Sequence, residues 1–324
     1  MTPIFNYIIT IHNKEDLIER VMNAVIKCCN EKSFIYPVLD GCTDKSEEIV
    51  DKIIKENPSV AITKIIVNDV HEILSINAAL KGSNQSIEGY NIILQDDVIL
   101  SDQQIEKKVV QLYKKMGPQL GYVSFRLGAN LKPDILQSTE GAPFKDYIEN
   151  AFGHGTPKSK VLFPGQFAFR KVAIKSPVCI PTLIVNKYGF LDENLSPCFH
   201  DDTEYCLRML LAGYKNGVFG IEFHSELEWG GTRKTSNDRL YQHIVKNMDY
   251  IRTKYQKQMN TILSIPDDEK VINVEGLFDP KSNKKAQNQY RINKRKRIKF
   301  ETQQLTVIGK IKYQIKSLFK EIIS

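Results

Sequence analysis

The chain has 324 residues, 42% of them hydrophobic, enough to bury one large α/β domain with an appendage or two ordinary domains. No stretch approaches the roughly 20 uninterrupted apolar residues of a membrane span, and the N-terminus turns polar at "HNKED" too soon to hold a secretory signal, so the expected location is cytoplasmic. The net charge of +7 divides into +11 over residues 281–324, where 13 Lys or Arg face only Glu301 and Glu321, and −4 over residues 1–280, so a mildly acidic body carries a basic tail.

In chain order, "FNYIITI" (5–11) reads as an apolar strand, and "NKEDLIERVMNAVIKC" follows with helical spacing at Leu17, Val21, Ala24 and Val25. "FIYPVLD" (34–40) is a second strand, "GCTDKS" a turn and "EEIVDKIIKEN" a helix. "AITKIIV" (61–67) is a third strand, "EILSINAALKGS" a third helix and "YNIIL" (90–94) a fourth strand. From Gly128 to Lys160 the pattern dissolves into Gly, Pro and polar residues and reads as a long surface segment over the site. "VLFPGQFAFRK" resumes as a strand, residues 201–215 form a helix closed by Gly213, and residues 239–256 form another. The expected divisions are a catalytic domain over 1–256, a polar and basic linker over 257–300, and a terminal helix over 301–324.

Strands that are nearly all apolar and alternate with helices predict a parallel sheet covered on both faces. Ligands of such sheets bind beyond the carboxyl ends of the strands. Polar residues gather at that edge: His12 and Asn13 after the first strand, Asp40 at the end of the second, and Asp96 with Asp97 at the end of the fourth.

"PVLDGCTDKS" together with "IILQDDV" resembles the family 2 glycosyltransferases, nucleotide-sugar-dependent enzymes of the GT-A fold, over about residues 4–235. The resemblance implies a Rossmann-like α/β sandwich with a mostly parallel central sheet, plus here a C-terminal helical basic tail. It places Thr10 and His12 along the donor base, with His12 where an aromatic is common, and gives Asp40 a hydrogen bond to that base. Asp96 would reach the ribose and Asp97 a divalent metal, Mn²⁺ or Mg²⁺, bridging the diphosphate. The sequence reads Gln95-Asp96-Asp97 rather than a literal D-x-D. Acids suit the task, because a hard cation takes carboxylate and phosphate oxygens and neutralises the charge of a leaving diphosphate.

"CFHDDTEYCLRMLLAGYK" has two readings that can both hold. Asp201 with Glu204 three residues later has the form of a capping box, while the family resemblance maps its catalytic base to Asp202, followed by Glu204 and Arg208. Asp201 then sits beside the cleft. An acceptor hydroxyl needs such a base to take its proton as it attacks, and a carboxylate of ordinary pKa, about 3.9, is ionised at neutral pH. Inversion at the anomeric carbon is what the resemblance implies. In "IEFHSELEWGGTRK", His224 matches a metal-ligand position or is structural. Trp229, the sole tryptophan, either stacks on a sugar or packs, and Arg233 and Lys234 either clamp the diphosphate or form a solvated basic loop. His71 and Asn77 are further pocket candidates at the third helix.

The six cysteines form no CxxC pair and no metal-ligand spacing, which predicts free thiols. In the tail, "NKRKRIKF" precedes Leu305, Ile308, Ile311, Ile315, Leu318, Phe319 and Ile322 at three- and four-residue spacing, with Lys310, Lys316 and Lys320 off that stripe. A basic amphipathic helix of this form fits an anionic membrane surface, or it docks on the domain or on a partner subunit. Nucleic acid is not expected, since stacking aromatics do not interleave the charge. The expected partners are therefore a nucleoside-diphosphate sugar, UDP-linked by preference, and a glycan or glycolipid acceptor in surface polysaccharide assembly. The alternatives are a nucleotidyltransferase, whose Gly- and Arg-bearing loop "IHNKED" lacks, and a non-catalytic sugar- or nucleotide-binding scaffold.

Overall fold

The computed structural model describes residues 3–30, 32–85, 88–154, 159–230 and 238–303. Its elements are, in order, β1 (Ile4–Ile11), α1 (Ile18–Ile26), β2 (Ser33–Asp40), α2 (Ser46–Glu56), β3 (Ala61–Ile62), β4 (Ile65–Val67), α3 (His71–Gly82), β5 (Gly89–Gln95), β6 (Ile99–Leu100) and α4 (Ile105–Met116). The second half adds β7 (Leu120–Ser124), β8 (Leu127–Leu131), β9 (Phe144–Asn150), β10 (Lys160–Leu162), β11 (Gln166–Phe169), β12 (Val172–Ile174), β13 (Val178–Pro181), α5 (Thr182–Tyr188) and α6 (Asp201–Leu211). It closes with β14 (Lys215–Phe219), β15 (Phe223–His224), α7 (Asp238–Lys254), α8 (Met259–Ser264), β16 (Ile272–Asn273) and α9 (Pro280–Gln303).

A large central sheet runs in the order β16-β11-β14-β7-β13-β5-β1-β2-β3, with β4 also on β2. From β5 to β3 every pairing is parallel, as the alternating pattern predicts. Helices cover both faces. Along β1, Tyr7, Ile9 and Ile11 point into one core with α1, α2 and α4, while Ile8 points into the other with α3, α5 and α6. A buried side chain of this size contributes roughly 1.5–3 kcal/mol, so the largely apolar β1 is held from both sides, and the polar residues at and after its C-terminal end, Thr10 and His12, are the part left for chemistry.

Several expectations are corrected by the structure. The third strand breaks into β3 and β4, and "VLFPGQFAFRK" breaks into β10 and β11 around Pro164 and Gly165, whose φ of +80° turns the chain. Residues 128–160 are not a plain surface loop: a second sheet, β10-β9-β8-β12, is built there. Its two longer strands, β8 (LGANL) and β9 (FKDYIEN), mix polar and apolar residues and carry no long apolar run. Gly128 is small because β8 lies close on the central sheet, where a Cβ would come 2.5 Å from Val218 Cγ2. Residues 257–300, expected as a linker, hold α8, β16 paired to β11, and α9. The polar helix α9 buries Ala286 and is tied down by Asn293 on the Gly153 carbonyl (2.6 Å) and by Lys285 on Glu222 (2.8 Å). The expected amphipathic stripe beyond Gln303 lies outside the described residues.

Candidate active site

The carboxyl ends of β1, β2 and β5 and the N-terminus of α6 border one open cavity of about 1000 Å³. Its wall includes Thr10, His12, Asp40, His71, Asp96, Asp97, Asp201 and Asp202, so eight of the residues singled out from the sequence converge there.

On the β1–β2 side, backbone geometry does the placing. Asp40 is buried and accepts a hydrogen bond from the Val70 N–H at 2.7 Å, while its carbonyl meets His12 Nδ1 at 2.6 Å. Gly41 follows at φ +58°, and a Cβ there would lie 2.6 Å from Asp69 Cβ. Only glycine fits this turn, both for its left-handed backbone and for the close approach of residue 69. Asn13 Oδ1 accepts the Thr43 N–H at 2.8 Å, and Ser46 Oγ accepts the Lys14 N–H at 2.8 Å, locking the loop after β1 to the loop after β2.

Asp96 accepts the His12 N–H at 2.9 Å and stands 3.9 Å from Lys14 Nζ. Burial pushes its carboxyl up to about 7, against the pull of Lys14 and the His12 N–H, and the neighbouring Asp97 adds to the rise. Asp97 is buried beside it on the cavity wall. The two acids offer hard oxygen donors, the set that suits a cation completing its shell with phosphate and water. His224 does not join them: it does not line the cavity, its Nε2 lies 3.3 Å from Glu226 and its ring meets Trp229 edge-on. Among the described residues no three His, Cys, Asp or Glu side chains come together as a metal cluster.

At α6 the N-cap is His200, in the left-handed region at φ +65°, and no side chain caps the helix. The expected capping box is therefore not formed. Glu204 turns instead to Arg208, to Lys254 at 2.7 Å and to the Tyr255 hydroxyl at 2.7 Å. Asp201 has no exposed surface and Asp202 has 6%, so the second acid is the one that opens on the cleft. Asp202 accepts the Thr203 N–H at 2.6 Å and the Lys175 N–H at 3.1 Å. Burial and the Asp201 carboxylate raise its pKa to about 7, with Lys175 opposing.

Asn77 is not in the cavity. Its buried amide bridges the Leu191 carbonyl (2.9 Å) and N–H (3.0 Å), a structural tie between α3 and the segment before α6. Trp229 also lies off the cavity wall: it packs on the core, the Arg20 guanidinium sits 5.2 Å from its ring centre, and its carbonyl accepts from Lys14 Nζ. Arg233 and Lys234 lie outside the described residues. Sequence reasoning missed Lys14, Glu72, Lys175, Phe144 and Phe199, all on the wall. A lysine directly after the apolar "VAI" was the one available signal for Lys175; Phe144 was hidden in the stretch taken for a loop.

The profile of glycosyl transferase family 2 matches residues 7–176, more than half of the chain, and the chain belongs to that family. No curated protein sequence matches it significantly. Among solved structures it is similar to the GalNAc-T7 structure with UDP, GalNAc and Mn²⁺, at 11% identity and a TM-score of 0.51 over 67% of this chain and 42% of that one. It is also similar to a mannosyltransferase of Pyrobaculum calidifontis in complex with GDP-Man and Mn²⁺ (12% identity, TM-score 0.47, covering 92% and 88% of the two chains). A third is S. aureus TarS 1-349 in complex with UDP (14%, 0.47, covering 80% and 73%). The fold is a mixed α/β sandwich of the GT-A type.

Proposed function

We propose that this glycosyltransferase moves a sugar from a nucleoside diphosphate, UDP by preference, to a hydroxyl of a glycan or glycolipid with inversion. The observation that carries the reading is the convergence of Asp40, Asp96, Asp97 and Asp202, from two strand ends and one helix start, on one cavity. In this reading Thr10, His12 and Asp40 receive the base, Asp96 the ribose, and Asp97 a divalent cation. That cation, Mn²⁺ or Mg²⁺, would supply Lewis-acid neutralisation of the leaving diphosphate. The acceptor oxygen forms its bond to the anomeric carbon from the face opposite the diphosphate. The carbon–oxygen bond to the diphosphate breaks with its electron pair, and the hydroxyl proton passes to Asp202.

The basic residues of α9 and the stretch after it support peripheral contact with an anionic membrane from the cytoplasmic side, at roughly 1 kcal/mol per Lys or Arg near the surface. Among the described residues no helix is long and apolar enough to cross a membrane. A role in surface polysaccharide assembly fits that placement.

The test is thermal denaturation with UDP, GDP, dTDP and CMP, each with and without Mn²⁺. A ligand at 100 times its Kd stabilises by about 2.7 kcal/mol. The expected outcome is a metal-dependent shift with one nucleotide, lost in Asp97→Asn. Silence across the panel would favour a non-catalytic scaffold.

A further inference from the structure

Behind the acid pair lies a buried cation that the reaction as described does not use. Lys175 follows β12, its side chain 9% exposed, with Nζ 2.5 Å from Asp201 Oδ2 and 3.4 Å from Glu72 Oε2 on the first turn of α3. Its own backbone N–H donates to Asp202 Oδ2 at 3.1 Å. One residue thus holds both acids of the pair through two different atoms.

Three carboxyl groups lie around this one ammonium: Glu72 and Asp201 in contact with it, and Asp202 close enough to feel its charge. All three cannot be ionised together without leaving buried charge uncompensated. Asp201 takes the ammonium directly, and Glu72 also accepts from the Gln95 amide. Among the described residues Asp202 accepts from N–H and hydroxyl donors: Lys175 N and, from its own helix, Thr203 N and Oγ1. Among the described residues Tyr122 of β7 and Cys206 of α6 also interact with it, and burial holds both in their neutral forms.

We propose that Lys175 is a positioning residue for the base: its ammonium fixes the charge of Asp201, while its peptide N–H aims the Asp202 carboxylate into the cleft. The proposal rests on the reading of Asp202 as base. Supporting it, burial would lower the pKa of Lys175, yet Asp201 and then Glu72 hold it above the usual lysine range. A cation favours the ionised form of a nearby carboxyl and a second carboxylate disfavours it. Removing Lys175 must therefore raise the Asp202 pKa, and removing the charge of Asp201 must lower it.

The experiment titrates the whole chain labelled with ¹³C at the aspartate carboxyls, using Asp202→Asn to assign the Asp202 signal. Lys175→Met should move its midpoint up by about one pH unit or more, a tenfold gain in proton affinity. Lys175→Arg should keep it near the wild-type value. Asp201→Asn, nearly isosteric and a safeguard should the Met variant not fold, should move it down by a similar amount. A midpoint that stays put in Asp201→Asn, or in a folded Lys175→Met, overturns the proposal. Retained sugar transfer by Asp202→Asn would instead remove the base reading without altering these titrations, so the two failures separate.

Discussion

Asn247 on α7 is the sharpest lever on the architecture of the cleft. Its buried side-chain amide faces the carbonyls of Leu195, Cys198 and Phe199 at 2.8, 2.9 and 3.0 Å. The last of these, Phe199, and His200 after it are two consecutive non-glycine residues in the left-handed region, at φ +74° and +65°. Such backbone costs of order 1–3 kcal/mol per residue and persists only where its surroundings enforce it. The amide has two N–H groups for three acceptors, so it supplies about two net hydrogen bonds at about 1 kcal/mol each. Asn247→Ala should therefore lose about 2 kcal/mol of stability. Asn247→Asp, the same shape without donors, should lose roughly 3–5 kcal/mol at pH 8 because it buries an unpaired charge against carbonyl oxygens. Urea unfolding read by the fluorescence of Trp229, the sole tryptophan, measures both. An aspartate variant as stable as the wild type would show that this clamp does not hold the loop before the acid pair.

Three further outcomes are expected. Gly41→Ala should destabilise by roughly 1–3 kcal/mol from its left-handed backbone alone, with more from the 2.6 Å approach to Asp69, and should weaken nucleotide binding; a neutral effect in thermal denaturation and nucleotide titration would reject the turn argument. Transfer should rise with pH through about 7 and then level off, because burial and Asp201 raise the Asp202 pKa and the base works only when deprotonated; a flat profile between pH 5 and 9 would contradict that assignment. Deleting residues 301–324 should lower sedimentation with anionic vesicles while leaving the domain folded, and undiminished binding would reject the membrane role.

The parallel half of the fold was legible because β1, β2 and β5 are buried on both faces and their sequences are nearly all apolar. The same strands carried Thr10, His12, Asp40, Asp96 and Asp97 to one edge, so that part of the site could be read from local pattern. What escaped depends on partners distant in sequence. The strand β9, "FKDYIEN", mixes polar and apolar residues without a clean period and gains its meaning only beside β8. The two-residue strand β16 exists only because β11 is there to receive it. Lys175 looked like any surface lysine until Asp201 and Glu72 closed around it, and Trp229 invited a stacking role that its packing on the core and on Arg20 does not support.

The most direct test of the account compares Asp202→Asn with the wild type for sugar transfer and for nucleotide-induced thermal stabilisation in the same buffer. The account predicts that transfer falls by roughly 10²–10⁴-fold, the usual worth of a general base, while the nucleotide shift is unchanged. Transfer within a few-fold of the wild type would mean that the proton leaves by another route and that the acid pair at the start of α6 is structural.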